Sequence, residues 1–332
     1  MAGPAVQPEQ LRSAAEKVVR VLQDAGHTAY FAGGCVRDMV MGRTPTDYDV
    51  ATDARPERVR ELFRRTQLVG EAFGVVIVRL MRCQIEVATF RAEWGYADGR
   101  HPDHVEYTDA EHDARRRDFT INGLFYDPVD DRIHDFVDGR ADIDRRIIRA
   151  IGDPDERFAE DYLRMLRAVR FAARLGFEID GGTKTAIERH ASKLAMISRE
   201  RIGLEMRMML EAPSRAPAAG YVQRFSLDAA VLDEPTARPS LACLNALPAD
   251  SDYAAALAGW AIDRHLPEVA APADAPPTVR LERLKAVQIA RRWRKALVLS
   301  NDDRDALRDA LKALPELWRW TDLGVARQKR WL

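Results

Sequence analysis

Apolar residues follow a helical spacing near the beginning of the chain and then occur in short strand-like runs. Between residues 11 and 25 they stand three or four positions apart, and Gly26 follows as a helix stop. Runs of β-branched and apolar residues come next and predict strands with one helix between them. The strands are expected over 29–32, 48–52, 75–80 and 85–90, and the helix over 56–65. This pattern predicts an α/β region with a small mixed sheet.

After Gly152 the strand-like runs cease and helical spacing prevails, so no further strand is expected. Two passages rich in proline and alanine, 212–219 and 266–277, are interpreted as linkers or loop insertions. The helices are expected over 157–175, 183–194 and 199–210. The chain is therefore predicted to be an α+β protein without internal repeats. Its predicted parts are 1–150, 151–212 and 213–332.

The composition, 46% hydrophobic and 31% charged, is that of a globular protein with two or three compact domains. It excludes disordered and fibrous classes. No run approaches the roughly 18 apolar residues of a membrane span, and the start of the chain lacks the regions of a signal peptide. We therefore expect a cytoplasmic protein with no membrane partner. Three widely spaced cysteines without a CxxC pair argue against a disulfide framework or a structural zinc site.

The formal net charge is only −1, yet the cations are strongly biased towards arginine. Only seven of the 51 basic residues are lysine. Arginine suits bidentate contacts with phosphate and base edges, although a GC-rich coding sequence also raises its share. The bias is therefore a weak indication of a nucleic-acid partner.

The first chemically informative segment has two glycines before a short helix and two aspartates on the next strand. Asp47 and Asp49 stand two positions apart, so their side chains project from one face of a strand. Neighbouring carboxylates repel unless cations lie between them, which suits two Mg²⁺ ions bound together with substrate phosphates. The backbone N–H groups of Gly33 and Gly34 can approach a triphosphate closely. Glu86, flanked by strand formers, is the candidate third carboxylate.

Each of these features alone has an ordinary explanation. A DxD pair is common at solvated strand ends, two glycines often form a plain turn, and Glu86 could be a surface residue. The combined order is more informative, because a strand, a glycine pair, a helix and then DxD on the next strand form the nucleotidyltransferase arrangement.

Residues 115–123 carry three arginines directly before an apolar segment. Such a run usually marks the solvated start of a helix. Here Asp118 and Asn122 add partners for ribose hydroxyls beside the phosphate-binding groups of Arg116 and Arg117. The segment therefore predicts a clamp for the sugar and phosphates of a nucleotide.

Asp161 and Arg164 are spaced at i, i+3 within the expected helix 157–175, which puts them on one helical face. Such a pair is normally a salt bridge of little consequence for stability. The alternative is that the carboxylate and the guanidinium hold each other in place and read the Watson–Crick edge of an incoming base.

Taken in order, these motifs resemble those of the class II tRNA nucleotidyltransferases and the related bacterial poly(A) polymerases, over about residues 30–210. The resemblance implies a polymerase-beta-like head (1–150), an all-helical neck (151–212) and a helical body (213–332). It makes Asp47 and Asp49 the metal-binding catalytic pair, with Glu86 as the third acid. The implied nucleotide-binding residues are Gly33, Gly34, Arg37, Arg116, Arg117, Asp118, Asn122, Asp161, Arg164 and Arg167.

By the same resemblance, Asp161 and Arg164 select CTP and then ATP, while residues 138–139 correspond to a hinge between head and neck. Glu160 and Arg167 are implied to support the selecting pair, and Arg201 and Glu205 to brace its helix. Residues 91–102 correspond to the family's flexible loop. An intact loop accompanies the switch from C to A addition, so complete CCA addition is favoured over CC-only addition, with A-only addition open.

Two departures from the family pattern bear on the activity. Poly(A) polymerases carry a basic pair where this chain has Glu71 and Ala72, which speaks against that branch. Relatives generally continue into a longer helical tail that grips the tRNA elbow, whereas this chain stops at Leu332. We therefore expect a shortened tail and an effect on tRNA affinity.

Two basic groups in the helical half are candidates for RNA contact, although charged helix faces are often merely solvated. They are Arg170 and Arg174, in series with Arg167, and the run Arg291, Arg292, Arg294 and Lys295. The sequence thus predicts a CCA-adding tRNA nucleotidyltransferase with tRNA, CTP and ATP as partners and Mg²⁺ as cofactor. A-only addition, poly(A) synthesis, a small-molecule nucleotidyltransferase and an inactive RNA-binding protein are the alternatives, and the oligomeric state is left open.

Overall fold

A computed structural model of the protein describes residues 7–69, 74–94, 104–265 and 286–318. The chain divides into two compact units, Met1–Asp161 with Glu178–Thr183, and Tyr162–Phe177 with Lys184–Leu332. The expected head, 1–150, falls within the first unit. The division expected between residues 212 and 213 stays a prediction.

Seven strands of the first unit form one mixed sheet in the order β3-β4-β5-β2-β1-β8-β9. The strands of this unit, in chain order, are β1 (Ala29–Ala32), β2 (Asp49–Thr52), β3 (Thr66–Val69), β4 (Val75–Leu80), β5 (Cys83–Thr89), β6 (Arg91–Trp94), β7 (His104–Tyr107), β8 (Leu124–Asp127), β9 (Arg132–Asp135), β10 (Ile147–Ile148) and β11 (Glu178–Ile179). β2 runs parallel to β5, whereas the other neighbours in the sheet are antiparallel. The expected small mixed sheet is confirmed.

Helices of the first unit cover the sheet and carry the polar segments singled out above. They are α1 (Pro8–Asp24), α2 (Gly34–Val40), α3 (Pro56–Leu62), α4 (Ala110–Arg115), α5 (Gly139–Arg145) and α6 (Pro154–Glu160). α1 begins earlier than predicted, with Pro8 in its first turn. The backbone N–H groups of a first turn have no partner within the helix, so the missing N–H of proline costs no hydrogen bond there. Ala110 and Ala114 of α4 pack in one apolar cluster with Phe90 and Phe125. This packing fixes the helix that precedes the arginine-rich segment.

The second unit is helical in its described residues. Its helices are α7 (Leu163–Leu175), α8 (Gly181–His190, whose first three residues belong to the first unit), α9 (Arg199–Leu210), α10 (Arg215–Arg224), α11 (Asp228–Leu232), α12 (Ala242–Ala246), α13 (Tyr253–His265), α14 (Ala286–Leu297) and α15 (Asn301–Trp318). α9 has the predicted bounds. Trp260 and Trp293, both fully buried, meet with ring centroids 5.6 Å apart. Gly203 lets α9 approach α14, since a Cβ there would lie 2.1 Å from the carbonyl oxygen of Leu297.

Two expectations about the helical half are wrong. β11 pairs in parallel with β10, so one strand does follow Gly152, and a two-residue strand is too short to show a period. Residues 215–219 of the supposed linker begin α10, where Pro217 sits in the first turn and its missing N–H is not needed. The second supposed linker, 266–277, lies outside the described residues.

Within the part of the chain that the structure describes, every helix is too short or too polar to cross a lipid bilayer.

Candidate active site

Three carboxylates meet on one face of the sheet at the start of β2. Asp49 opens the strand and lies beside Glu86 of β5 in the parallel register. Asp49 and Glu86 are exposed, while the next residues, Val50 and Val87, are buried on the opposite face. Asp47 stands two residues before Asp49 and is also exposed. The structure therefore brings the three predicted acids together, and their catalytic role stays a prediction.

The carboxylate of Asp49 is reached by solvent on one side, while the surrounding chain removes much of its hydration. That partial burial raises the pKa of Asp49 to about 6, and the negative charges of Asp47 and Glu86 add to the rise. The positive charge of Arg117 opposes it. The side chains of the three acids form no hydrogen bond or ion pair with any residue of the described ranges. Their repulsion is thus left for a cation to relieve.

The donor set fits Mg²⁺ on chemical grounds. Among the described residues, no three His, Cys, Asp or Glu side chains form a complete metal site by themselves. Mg²⁺ commonly takes one or two carboxylates and completes its shell with water and substrate phosphates. Asp47 and Asp49 provide such a pair of carboxylates. Glu86 is the neighbouring negative charge.

The turn before α2 has a backbone shape that glycine alone adopts without strain. Gly33 has φ +72° and ψ −123°, and a Cβ on it would lie 2.9 Å from Nη1 of Arg117. The guanidinium of Arg117 can therefore lie against the turn. A residue with a side chain at position 33 would displace it. Gly34 follows as the first residue of α2.

Arg116 and Arg117 are both held by one buried carboxylate that the sequence analysis did not single out. Asp113 of α4 is 1% exposed and forms ion pairs of 2.7 Å with Arg116 and 3.0 Å with Arg117. The guanidinium of Arg117 also lies over the Phe125 ring, 4.9 Å from its centroid. The spacing i, i+3 and i, i+4 was a signal that could have revealed this pairing.

Arg37, Asp118 and Asn122 form a buried chain of hydrogen bonds behind these arginines. Nη1 of Arg37 donates to Oδ1 of Asn122 at 2.8 Å, and Nδ2 of Asn122 donates to Oδ1 of Asp118 at 3.1 Å. Arg37 is 4% exposed and also pairs with Asp38 at 2.8 Å. These polar groups are thus hydrogen-bonded to one another inside the protein, which suits residues that support the arginines in front of them. Their contact with a nucleotide stays a prediction.

Arg157 of α6 links the arginine segment to the chain that leads to Asp161. Its Nη2 donates to the carbonyl of Arg115 at 2.9 Å and its Nη1 to the carbonyl of Arg116 at 3.3 Å. It also pairs with Glu160 at 2.9 Å. Carbonyls at a helix end have no partner within the helix, so Arg157 satisfies the end of α4. No motif in the sequence indicated this role of Arg157.

Asp161 and Arg164 do not share one helix, which corrects the prediction. α6 ends at Glu160, Asp161 has an extended backbone (φ −157°, ψ 102°), and α7 begins at Leu163. α6 belongs to the first unit and α7 to the second, so each helix packs within a different unit. The apolar spacing continues across both and hides the break. Their base-selecting role stays a prediction.

Glu205 of α9 braces α7 by its contacts with two arginines. It lies 2.7 Å from Nε of Arg170 and 3.8 Å from Nη1 of Arg167, and it is 4% exposed. Arg170 is buried against the Phe171 ring, whereas Arg174 is exposed. Of the two predicted RNA-binding residues on α7, Arg174 is thus the one presented to solvent.

The arginines of α14 line a cavity of about 750 Å³ together with Arg304 and Arg308 of α15. The cavity-lining residues of α14 include Arg291, Arg292, Arg294 and Lys295, and the one acid among the described lining residues is Asp233. Arg292 lies 3.4 Å from Glu234. Arg291, Arg294 and Lys295 are exposed and form no ion pair with another described residue.

Comparison with known proteins identifies the family. The family model for the Poly A polymerase head domain matches residues 29–149, and the one described as "Probable RNA and SrmB- binding site of polymerase A" matches 176–220. The solved CCA-adding enzyme of Bacillus stearothermophilus, in complex with CTP, is 33% identical with a TM-score of 0.70. The match covers 94% of this chain and 71% of that one. The chain belongs to the CCA-adding enzyme and poly(A) polymerase family.

Curated members of this family are similar over about three fifths of the chain. The CCA-adding enzyme of Bacillus subtilis is 46% identical over 195 residues, and that of Lactiplantibacillus plantarum is 42% identical over 216 residues. These matches cover 58% and 65% of this chain and 49% and 52% of the relatives. The chain thus spans about half the length of the curated relatives. The expected fold class, a nucleotidyltransferase head with a helical C-terminal region, is confirmed.

Proposed function

We propose that this chain is a template-independent tRNA nucleotidyltransferase that adds C, C and A from CTP and ATP to the 3′ end of tRNA. The observation that carries the proposal is the register of Asp49 beside Glu86, with Asp47 two residues away. The three acids have no ion-pair partner among the described residues and lie beside the Gly33 turn, which suits a triphosphate with its cation. The similarity to curated CCA-adding enzymes and to one solved with CTP supports the same choice.

In the proposed reaction, the 3′ hydroxyl of the RNA attacks the α-phosphorus of CTP or ATP. A new P–O bond forms while the bond to the β-phosphate oxygen breaks, the hydroxyl loses its proton, and pyrophosphate leaves. Asp47 and Asp49 would hold Mg²⁺, which supplies Lewis-acid stabilisation of the phosphate charge when it is bound. Arg116 and Arg117 would meet the triphosphate with their guanidinium groups.

Base selection is assigned to Asp161 and Arg164, with Arg167 supporting them. Asp161 has an extended backbone just before α7 and so lies outside both helices. Arg164 stands in the first turn of α7. A carboxylate acceptor and a guanidinium donor together match the donor and acceptor edges of cytosine and adenine.

RNA contact is assigned to the exposed cations, Arg174 of α7 and the cavity-lining residues of α14. The positive charges of Arg291, Arg294 and Lys295, which have no acidic partner among the described residues, surround a concave surface that suits the phosphate backbone of an RNA. Arg170 would support Arg174 from a buried position without contacting the RNA itself, since Glu205 holds it there. The proposed substrates are cytoplasmic, and so is the proposed location of the protein.

The deciding experiment is an incorporation assay with a tRNA that lacks its CCA end. The protein is incubated with Mg²⁺ and CTP, ATP, GTP or UTP singly and with CTP plus ATP, and product length is read at single-nucleotide resolution. We expect two additions from CTP alone and three from CTP plus ATP. A long adenosine tail would identify a poly(A) polymerase, and a single A added only to a CC end would identify an A-adding enzyme. This choice depends on the signature at 68–73 and the loop at 91–102, of which residues 70–73 and 95–102 lie outside the described residues. Residues 91–94 of the loop form β6.

A variant pair tests whether the acidic face performs the reaction. Asp47→Ala should abolish incorporation while tRNA binding stays near normal. Asp24→Ala, at an exposed aspartate at the end of α1, is the matched control and should keep full activity. Substantial incorporation by Asp47→Ala would refute the assignment.

A further inference from the structure

Asp113 is closed off from water and yet surrounded by donors. Its Oδ1 accepts hydrogen bonds from Nε and Nη2 of Arg116 at 2.9 and 2.7 Å. Its Oδ2 accepts from Nε and Nη2 of Arg117 at 3.1 and 3.0 Å. The backbone N–H of Arg91 reaches Oδ1 at 3.3 Å. A carboxylate that is 1% exposed remains charged only with compensation of this kind.

The charge state of this group is set by its partners. Burial alone would raise the pKa of Asp113, but the positive charges of Arg117 and Arg116 hold it below its ordinary value. Two guanidinium groups that follow each other in the chain would otherwise repel. One carboxylate between them removes most of that repulsion and leaves the trio with a net positive charge.

The second arginine reaches from Asp113 towards the acidic face. Arg117 donates from Nη1 to the carbonyl of Asn122 at 3.2 Å, and the same atom lies against Gly33. Its charge also acts on Asp49, since it counters the rise in that pKa. Asp113 thus holds a guanidinium beside the glycine turn and near the carboxylates.

We propose that Asp113 is a positioning residue that orients the guanidinium groups of Arg116 and Arg117 to receive the triphosphate of the incoming nucleotide. The inference rests on the proposed function. Asp113 accepts two hydrogen bonds from each arginine and fixes the planes of both guanidinium groups, so they are already oriented when a triphosphate arrives. Without it the arginines keep their charge but lose their common orientation.

The variant Asp113→Asn tests this with a readout that general loss of structure would not reproduce. Asparagine keeps the shape but loses the charge and one acceptor oxygen. We expect the Kd for CTP, measured by calorimetry on the full chain, to rise about tenfold, while the Kd for CMP changes less than twofold. Asp113→Glu, which restores the charge on a longer side chain, should recover part of the CTP affinity. Equal loss for CTP and CMP, or no loss for CTP, would overturn the proposal.

Asp109→Asn is the matched control on the same helix. Asp109 is exposed and caps α4 through the backbone N–H of His112, a role that asparagine fills equally well. This variant should bind CTP and CMP like the original protein. If Asp113→Asn fails to fold, Asp113→Glu is measured alone, since glutamate keeps the charge but shifts the carboxylate relative to the two guanidinium groups. A loss confined to CTP then supports the proposal, and an unchanged CTP affinity refutes it.

Measuring nucleotide binding as well as incorporation distinguishes a failure of the proposed reaction from a failure of the role of Asp113. Absence of incorporation by the original protein, with CTP binding intact, would refute the proposed reaction and leave the role of Asp113 measurable. Normal incorporation together with an unaltered ratio of CTP to CMP affinity in Asp113→Asn would refute only the role of Asp113.

Discussion

Asp49 of β2 lies directly beside Glu86 of β5 in the parallel register, so the sheet holds two negative charges together without a described counter-ion. Strand pairing usually avoids like charges directly opposite each other because they destabilise the sheet. Their retention here, with Asp47 next to them, is understandable if a cation and a triphosphate are bound at this face. The electrostatic cost in the metal-free protein gives the first prediction.

Asp49→Asn should stabilise the metal-free protein in a pH-dependent way. The pKa of Asp49 is 3.8 ordinarily and about 6 in the fold. Between these values the folded protein binds a proton that the unfolded chain has released, so the free energy of unfolding falls as the pH rises through this window. The increase in the free energy of unfolding caused by Asp49→Asn should therefore be complete above pH 6 and absent below pH 3.8.

Urea unfolding in a chelator at pH 3.5, 5 and 7 measures this gain. Adding Mg²⁺ at pH 7 should stabilise the original protein and not the variant, because ligand binding to the native state adds to its stability. A gain that is the same at all three pH values would contradict the origin assigned to it.

Gly33→Ala should reduce both stability and nucleotide binding. The backbone at Gly33 has a positive φ, and the new Cβ would lie 2.9 Å from Nη1 of Arg117, so the guanidinium has to move. We expect a loss of about 1–3 kcal/mol in the free energy of unfolding and a weaker affinity for CTP. Gly42→Ala is the matched control, since Gly42 has φ +67° but nothing within 4 Å of its added Cβ. It should lose stability alone, and a similar loss of CTP affinity in both variants would argue against the contact.

Glu205→Gln should destabilise the helical unit strongly. The substitution removes the negative charge that lies 2.7 Å from Nε of Arg170, a residue that is 9% exposed. Breaking a buried ion pair in this way costs about 3–5 kcal/mol. Glu211→Gln, which removes an exposed partner of Arg207, should cost less than about 1 kcal/mol. Chemical unfolding of both variants measures the difference, and equal losses would contradict the importance of the buried pair.

Lys295→Gln should weaken RNA binding in a way that depends on salt. Each phosphate contact contributes about 0.7–0.9 to the slope of log K against log salt concentration, so the slope should fall by about that amount. The triple change Arg291, Arg294 and Lys295 to glutamine should lower it by about 2–3. Lys312→Gln is the control, because Lys312 is an exposed lysine on α15 and is not among the residues lining the cavity. A slope that is unchanged in the triple variant would exclude this surface as an RNA contact.

Local patterns predicted most of the elements that carry the site. α9 has the expected bounds, and β1 and β4 coincide with the expected runs. Such predictions succeed because side chains alternate along a strand and repeat every three to four residues on a helix, whatever they pack against. The same alternation assigns Asp47 and Asp49 to one face from their spacing alone.

Predictions failed where the packing partner decided the outcome. The helical spacing across 157–175 gave no sign of the break at Asp161, since apolar positions continue on both sides while the two helices belong to different units. The proline and alanine of 212–219 looked like a linker, yet buried alanines of α10 pack there. In both places composition was compatible with two structures, and burial selected one.

The sequence by itself determined the kinds of groups present and their local spacing: a glycine pair, two aspartates on one face, an arginine run and the family to which these motifs belong. Only the tertiary structure decided that Glu86 lies beside Asp49 and that Arg37 donates a hydrogen bond to Asn122. It also decided that Asp113 pairs with both Arg116 and Arg117. The physical reason is that strand register and the desolvation of a charge depend on segments far apart in the chain, and these come together only when the core is formed.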